Sequence, residues 1–205
     1  RKEDEKMDLE LTREDFWSYI KDARKKYEND DYGVINYLTE KLKKKTAEEI
    51  FSFGIILDEI MLESYKEKLW CASYLINGEI TEESFDFFRL WLISKGEKVF
   101  NDVMKNHDCL IKYIDNPEED DFVEDFYENE DFFFIAVDAY GQKNNLEVFE
   151  ESFEKYLDEF DRYKEKIGYV DKDYPKLKFT WNEKVPKSMK KICPKLYERL
   201  YISDE

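Results

Sequence analysis

The sequence has few of the residues on which common catalytic and metal sites are built. His107 is its only histidine, which excludes a zinc or iron site made from paired imidazoles. It has no glycine-rich phosphate loop and no Gly-x-Ser-x-Gly element. His107 and Cys109 form the remaining candidate nucleophile pair, but near neighbours in a chain seldom place both side chains productively. We therefore predict no catalytic residue, no metal and no cofactor, and we lean away from an enzyme.

Cysteine and long apolar runs are also scarce. Cys71, Cys109 and Cys193 are odd in number and share no close spacing, a pattern typical of reduced thiols rather than of a disulfide framework. No apolar run approaches the length of a membrane span, and the charged start RKEDEKMD lacks the apolar segment of a signal peptide. These features predict a cytoplasmic protein without membrane contact.

Positive charge is in the minority. The chain has 33 lysines and arginines against 50 aspartates and glutamates, a net charge of −17. Phosphate backbones and anionic lipids require a basic surface, so we predict no direct binding to nucleic acid or membrane. The charge favours a basic partner, although solubility alone also explains such a charge.

Apolar and aromatic residues are plentiful, at 42% and 17% of the chain, so the high charge does not indicate disorder. Apolar positions recur at helical spacing, and Thr12, Thr46 and Thr81 stand where helix N-caps are expected. We predict an all-α fold with one domain of about eight helices over residues 12–168. A less regular extension, residues 169–205, follows it.

Several helices are predicted within this plan. The longest covers residues 47–66, and Gly54 in its middle indicates close approach by another helix. A buried helix at 69–76 ends at Asn77-Gly78. The apolar run 132–137 favours a helix that reaches Tyr140 and is capped by Gly141, with a short strand as the minority interpretation. The last helix is expected at 188–201.

Arg89 is an arginine set among aromatic residues, next to Phe88 and close to Trp91. Asp86 lies three residues earlier, so both side chains share one helical face and can pair. Asp86 or the carbonyls near Asn77 are expected to satisfy the guanidinium donors. One interpretation is a structural ion pair that ties the Asn77-Gly78 turn to the next helix. The other is a pocket for a carboxylate or phosphate, lined by Trp70, Tyr74, Asn77, Asp86, Arg89 and Trp91.

Residues 115–131 contain ten acidic residues and no basic one. Interleaved aromatic residues predict an amphipathic acidic helix or loop-helix, and the EF-hand spacing is missing. We predict that this segment faces a basic protein through Glu118, Glu119, Asp120, Asp121, Glu124 and Asp125. The locally basic C-terminal part, Lys164 to Arg199, is expected to lie against it within the chain or across a homo-oligomer.

The stretch from Leu69 to Gly96 resembles the DUF4240 family, a bacterial domain of unknown function. The resemblance lies in Leu69-Trp70-x-Ala72-x-Tyr74-x-Ile76-Asn77-Gly78 and in Phe85-x-x-Phe88-Arg89-x-Trp91-Leu92-Ile93-x-x-Gly96. It extends over about residues 12–141, with an opening Phe16-Trp17 pair and an Ala136-to-Tyr140 element. The family commonly reads Asn-Gly-Gly-x-Ser-Asp-Asp-x-Phe where this chain has Asn77-Gly78-Glu79-Ile80-Thr81-Glu82-Glu83-Ser84-Phe85. This departure favours a structural role for the acidic pair, since Thr-Glu-Glu caps a helix equally well.

Together these features predict a non-enzymatic acidic interaction protein that binds a basic protein, in the manner of an immunity protein and its toxin. By resemblance the family implies no activity, so the immunity comparison is an analogy. Two alternatives stay open: a small-molecule-binding or catalytic domain with the anion pocket around Arg89, and a nucleic-acid mimic that occupies a DNA-binding protein.

Overall fold

Helices form the framework of the chain. The structure, a computed structural model, describes residues 9–78, 81–115 and 126–201. Within these ranges there is no strand, only an isolated bridge between Asn182 and Val185. The all-α prediction is therefore confirmed. The α-helices are α1 Arg13–Tyr27, α2 Asp31–Leu42, α3 Ala47–Ser64, α4 Glu67–Asn77, α5 Glu82–Ser94, α6 Glu97–Lys105, α7 Ile135–Lys143, α8 Phe149–Ile167, α9 Pro186–Ile192 and α10 Pro194–Leu200. Two 3-10 helices, His107–Lys112 and Glu130–Phe134, complete them.

The helices fall into two compact units. The first comprises Arg1–Ile60 and Asp131–Asp173, and the second comprises Met61–Glu130 and Tyr174–Glu205. The first division falls inside α3, between Ile60 and Met61. No division coincides with Gly168, where the extension was expected to begin, and the predicted 12–168 domain stays a prediction.

In the first unit α1 packs on α2, α2 on α7, and α7 on α8. Thr12 and Thr46 cap α1 and α3 as expected, since each hydroxyl accepts from the backbone three residues later. Gly54 lies where α8 approaches α3, and a Cβ there would stand 2.4 Å from the Tyr156 hydroxyl oxygen. The predicted close approach is therefore confirmed. At 19 residues α8 is longer than α3, which has 18, so the expected longest helix was the wrong one.

Gly141 has a different role from the predicted one. It lies inside α7 rather than at its end, and a Cβ there would stand 2.4 Å from Ser152 Oγ on α8. The helix ends at Lys143 with Asn144 as its C-cap, and Asn145 takes the positive φ of 55°. The glycine is needed because two helices pack closely at this point. In a sequence, a glycine of this kind looks the same as one that caps a helix.

In the second unit α4 contacts α5, α9 and α10. The predicted helix at 69–76 is confirmed, although Trp70, Tyr74 and Ile76 keep part of their surface exposed. It ends at Gly78, whose φ of 81° suits glycine, and α5 begins after the N-cap Thr81.

The C-terminal helix is divided. Pro194 has no backbone N–H and Cys193 before it is non-helical, so α9 and α10 replace the single predicted helix. Asp108 fastens α10, because its carboxylate accepts from the backbone N–H groups of Lys195 and Leu196 at 2.9–3.1 Å. These N–H groups lie in the first turn of the helix, where no intrahelical acceptor exists.

The acidic segment was predicted to be a helix or loop-helix, and residues 116–125 of it lie outside the described residues. Residues 126–129 form no helix. Tyr127 N donates to Asn77 Oδ1 and Asn129 N donates to Phe87 O, each at 3.0 Å.

Candidate functional site

Arg89 lies on α5 in the second unit with no solvent exposure. Its Nη2 donates to Asp86, as the spacing of three residues predicted. Its Nη1 donates to the carbonyl of Met61, near the C-terminal end of α3. The expected carbonyls near Asn77 are therefore not its acceptors. The bond to Met61 joins α5 to α3, and neither bond reaches the Asn77-Gly78 turn.

Aromatic rings cover the rest of the guanidinium. Its Cζ lies 4.8 Å from the ring centre of Phe85, 5.0 Å from Tyr65 and 5.4 Å from Tyr174. Rings at these distances attract a cation through their negative faces, most strongly where water is excluded. One donor, Arg89 Nε, has no hydrogen-bond partner among the described residues. The side chain is thus held by one carboxylate, one carbonyl and three rings.

The other residues of the predicted pocket have separate neighbours. Trp70 stacks on Phe85 at 4.4 Å between ring centres, and Tyr74 lies 5.7 Å from Trp181. The Asn77 amide is hydrogen-bonded to the backbone of Tyr127 in both directions. Trp91 is 1% exposed, and its ring lies 5.1 Å from that of Tyr127. This geometry favours the structural interpretation of Arg89, and the anion pocket stays a prediction.

His107 and the cysteines show no sign of an activated nucleophile. Burial lowers the pKa of His107, whose Nδ1 lies 2.8 Å from the carbonyl of Val103. Burial raises the pKa of the Cys109 thiol, which disfavours the reactive thiolate. Cys71 is a buried core residue, as expected, and its contact with Cys193 together with burial raises the pKa of Cys193.

The acidic surface predicted from the sequence cannot be placed. It consists of Glu118, Glu119, Asp120, Asp121, Glu124 and Asp125, all of which lie outside the described residues. Another exposed acidic stripe lies on α8, formed by Glu150, Glu154 and Asp158 at four-residue spacing. Residues four apart share one face of a helix, so these carboxylates point to the same side.

An apolar cavity of about 140 Å³ opens in the first unit, between α3, the 3-10 helix before α7, α7 and α8. One carboxyl group, that of Asp58, lies among otherwise apolar, aromatic and glycine residues. The other lining residues are Gly54, Leu57, Phe133, Ala136, Val137, Phe153, Tyr156, Leu157 and Phe160. Phe133 and Leu157 are 45% and 39% exposed, so apolar surface continues outside the cavity.

Asp58 is the electrostatically unusual group of this cavity. As a residue it is solvent-exposed, yet the protein around its carboxyl removes enough water to raise its pKa to about 6. Lys164 opposes this shift, while Asp171 and Glu59 add to it. Lys164 makes ion pairs with Asp161 and Asp171, at 3.0 and 2.9 Å. Asp58 itself makes neither an ion pair nor a hydrogen bond with another described side chain.

Sequence reasoning missed this cavity. Gly54 was the one signal for it, since the glycine was read as a close helix approach. The approaching helix is α8, and its Tyr156 and Phe160 form one wall. Nothing in the local pattern of α3 shows that Asp58 would face those aromatic rings.

Residues 9–78, 81–115 and 126–201 contain no metal-ligand cluster and no long apolar helix. No group of three or more histidine, cysteine or acidic side chains there is arranged to hold a metal ion. No helix in these ranges has both the length and the apolar character needed to cross a membrane.

The fold and these sites define an all-α acidic protein with a sealed arginine in one unit and an apolar cavity bearing a carboxyl in the other. The family model described as "Protein of unknown function (DUF4240)" matches residues 11–142, more than half of the chain. The chain therefore belongs to the DUF4240 family, as the 69–96 stretch indicated. The matched region contains Arg89 and Asp58 but ends before α8.

No curated protein and no solved structure matches the chain.

Proposed function

We propose that this chain is a non-enzymatic interaction protein that binds a basic protein partner, in the manner of an immunity protein that occupies a toxin. Its acidic excess agrees with this role, with 50 acidic against 33 basic residues. A surface of one sign attracts a partner of the opposite sign and raises the rate of association. The proposal places the complex in the cytoplasm.

The α8 stripe is the described surface that suits this role best. Glu150, Glu154 and Asp158 are exposed, and no basic side chain pairs with them among the described residues. The nearest basic residue in the helix, Lys155, is held by Glu151 at 2.6 Å. The stripe thus has unused negative charge, which is the observation that carries the proposal.

A pull-down tests the proposal directly. The full chain is immobilised and exposed to a lysate of the cells that encode it, and bound proteins are identified by mass spectrometry. We expect a basic protein, whose affinity is then measured with purified components. The affinity should fall steadily from about 50 to 300 mM salt, because salt screens exposed charge pairs over about 10 Å or less. Recovery of no basic protein would contradict the proposal.

Charge-neutral variants then locate the surface. Neutralising the α8 stripe with Glu150→Gln, Glu154→Gln and Asp158→Asn should weaken binding about tenfold, since each exposed pair contributes roughly 0.5 kcal/mol. A matched triple variant elsewhere should leave the affinity within about twofold of the wild type. That control carries Glu10→Gln, Glu14→Gln and Glu28→Gln. Equal effects of the two triple variants would mean that net charge alone, and not the stripe, attracts the partner.

A nucleic-acid mimic is a second candidate, favoured by the regular spacing of the stripe. Its three carboxylates recur every four residues, which is about 6 Å along a helix. If the captured protein binds DNA, duplex DNA should compete with the chain for it. Lack of competition would leave the toxin-like partner as the better description.

A further inference from the structure

The Asp58 cavity differs from the α8 stripe in chemistry as well as in place. The stripe is a polar exposed surface, whereas the cavity is apolar with a single carboxyl. Its volume of about 140 Å³ is well below the roughly 300 Å³ at which pockets for drug-sized ligands begin. An apolar cavity of about 150 Å³ holds one benzene-sized group. The cavity is therefore the size of a single side chain.

The lining selects among side chains. Apolar groups alone would suit leucine or phenylalanine, but neither can pair with the carboxyl of Asp58. A lysine or an arginine places an apolar stem against the cavity wall and brings a cation to the carboxylate. Four aromatic residues, Phe133, Phe153, Tyr156 and Phe160, favour arginine, because guanidinium stacks on aromatic faces and is less strongly hydrated than ammonium.

The surroundings agree with an anchored arginine. Exposed Phe133 and Leu157 offer apolar contact to residues on either side of it. Lys164 is the cation that lowers the pKa of Asp58. It is held by Asp161 and Asp171 and does not pair with Asp58. A cation at the cavity would also favour the ionised carboxylate, whose pKa burial has raised to about 6.

We propose that this cavity is the anchor site for one arginine side chain of the basic protein partner, with the stem between Phe133, Leu157 and Phe160 and the guanidinium on Asp58. Interface energy is usually concentrated in a few residues, and an arginine in a closed pocket is typical of them. The inference rests on the proposed function for the existence of a basic partner. The chemistry of the cavity can be tested without that partner.

The first test uses n-butylguanidinium chloride as a mimic of the arginine side chain. The methyl NMR signals of Ala136 and Val137, which line the cavity, report binding to the full chain. We expect saturable shifts at neutral pH. The variant Asp58→Asn should weaken binding roughly five- to tenfold, the range of a partly exposed charge-assisted hydrogen bond. The control Glu14→Gln removes the same charge from α1, outside the cavity lining, and should change the affinity less than about twofold.

Two further mimics separate stem and charge. Butanol, which has the stem without the charge, and n-butylammonium, which has a different cation, should both bind more weakly than n-butylguanidinium. Equal binding of n-butylguanidinium to the wild type and Asp58→Asn would overturn the proposal, and so would stronger binding of n-butylammonium. An unchanged circular dichroism spectrum and denaturant midpoint verify that Asp58→Asn is folded.

The partner decides between this inference and the proposed function. If a purified basic partner binds wild type and Asp58→Asn equally, the anchor is wrong while the interaction function stands. If n-butylguanidinium binds in the cavity but no basic protein is captured, the proposed function fails and the cavity chemistry stands. If the partner binds Asp58→Asn more weakly, the arginines of the partner are replaced one at a time. The anchoring arginine is the one whose replacement makes the affinity the same for wild type and Asp58→Asn.

Discussion

Removing Asp86 is expected to destabilise the protein more than removing its partner, Arg89. The two side chains have unequal environments, since Arg89 is fully buried while 48% of the Asp86 side chain is exposed. In Asp86→Ala the guanidinium keeps the Met61 carbonyl and three rings but loses its only carboxylate. Breaking a buried ion pair in this way costs about 3–5 kcal/mol. Because water replaces part of the half-exposed carboxylate, we expect the lower end, about 3 kcal/mol.

Arg89→Met removes the buried charge, whereas Asp86→Ala leaves it without a counter-ion. Asp86 is then hydrated, and the Met61 carbonyl loses its donor at a cost of about 1–3 kcal/mol. Methionine fills much of the vacated space, and its sulfur contacts the rings of Tyr65, Phe85 and Tyr174 favourably. We expect a net loss of about 1–2 kcal/mol. The double variant should resemble Arg89→Met, because the carboxylate matters only while the cation is present.

Urea unfolding of the four proteins measures this cycle, with free energies from linear extrapolation and slopes compared to check two-state behaviour. The exposed Asp158→Ala serves as a control and should change stability by less than about 0.5 kcal/mol. Two results would refute the reasoning: a loss below about 1 kcal/mol for Asp86→Ala, or additive losses in the double variant. Either would mean that Arg89 reaches water or another partner in solution.

Three further variants test the helix packing, the C-terminal attachment and the cavity carboxyl. Gly54→Ala should cost up to about 2 kcal/mol in urea unfolding, because the clash of the new methyl with the Tyr156 hydroxyl, about 1–3 kcal/mol, outweighs the roughly 1 kcal/mol that alanine gains in a helix. A midpoint above that of the wild type would contradict the close approach. Asp108→Ala should make α10 sensitive to limited proteolysis before the rest of the chain, because the N–H groups of Lys195 and Leu196 lose their acceptor. Cleavage at the wild-type rate would show that Asp108 does not hold α10 in place. The folded protein holds the Asp58 proton more tightly than the unfolded chain, so ionisation of Asp58 lowers stability as pH rises from about 4 to about 6. Relative to wild type, Asp58→Asn should therefore gain stability over this window, and a constant difference would show that the pKa is not raised.

Short-range features of the protein follow from its sequence. Thr12, Thr46 and Thr81 begin helices because a cap depends on a hydroxyl and a backbone N–H three residues apart. The contact of Asp86 with Arg89 follows in the same way, since one helix fixes a spacing of three residues. The all-α class and the DUF4240 membership, predicted from the 69–96 stretch, rest on the same local patterns.

Local patterns failed where a residue serves a distant neighbour. Gly141 was read as a cap and is instead a contact point for Ser152. The segment predicted as a helix or loop-helix is non-helical at 126–129, where the N–H groups of Tyr127 and Asn129 bond to Asn77 and Phe87, far away in the chain. A periodic pattern records which face of a segment is apolar, but it does not record which segment covers that face.

The sequence alone indicated that Arg89 stands among aromatic residues and can pair with Asp86. Only the tertiary structure decided that Met61 is the second acceptor, that Tyr65 and Tyr174 complete the aromatic enclosure, and that the guanidinium has no exposed surface. Asp58 gives the sharper contrast, since in the sequence it is one of 50 acidic residues. Its raised pKa and apolar cavity arise because α8, about a hundred residues later in the chain, packs its aromatic side against α3 and excludes water there.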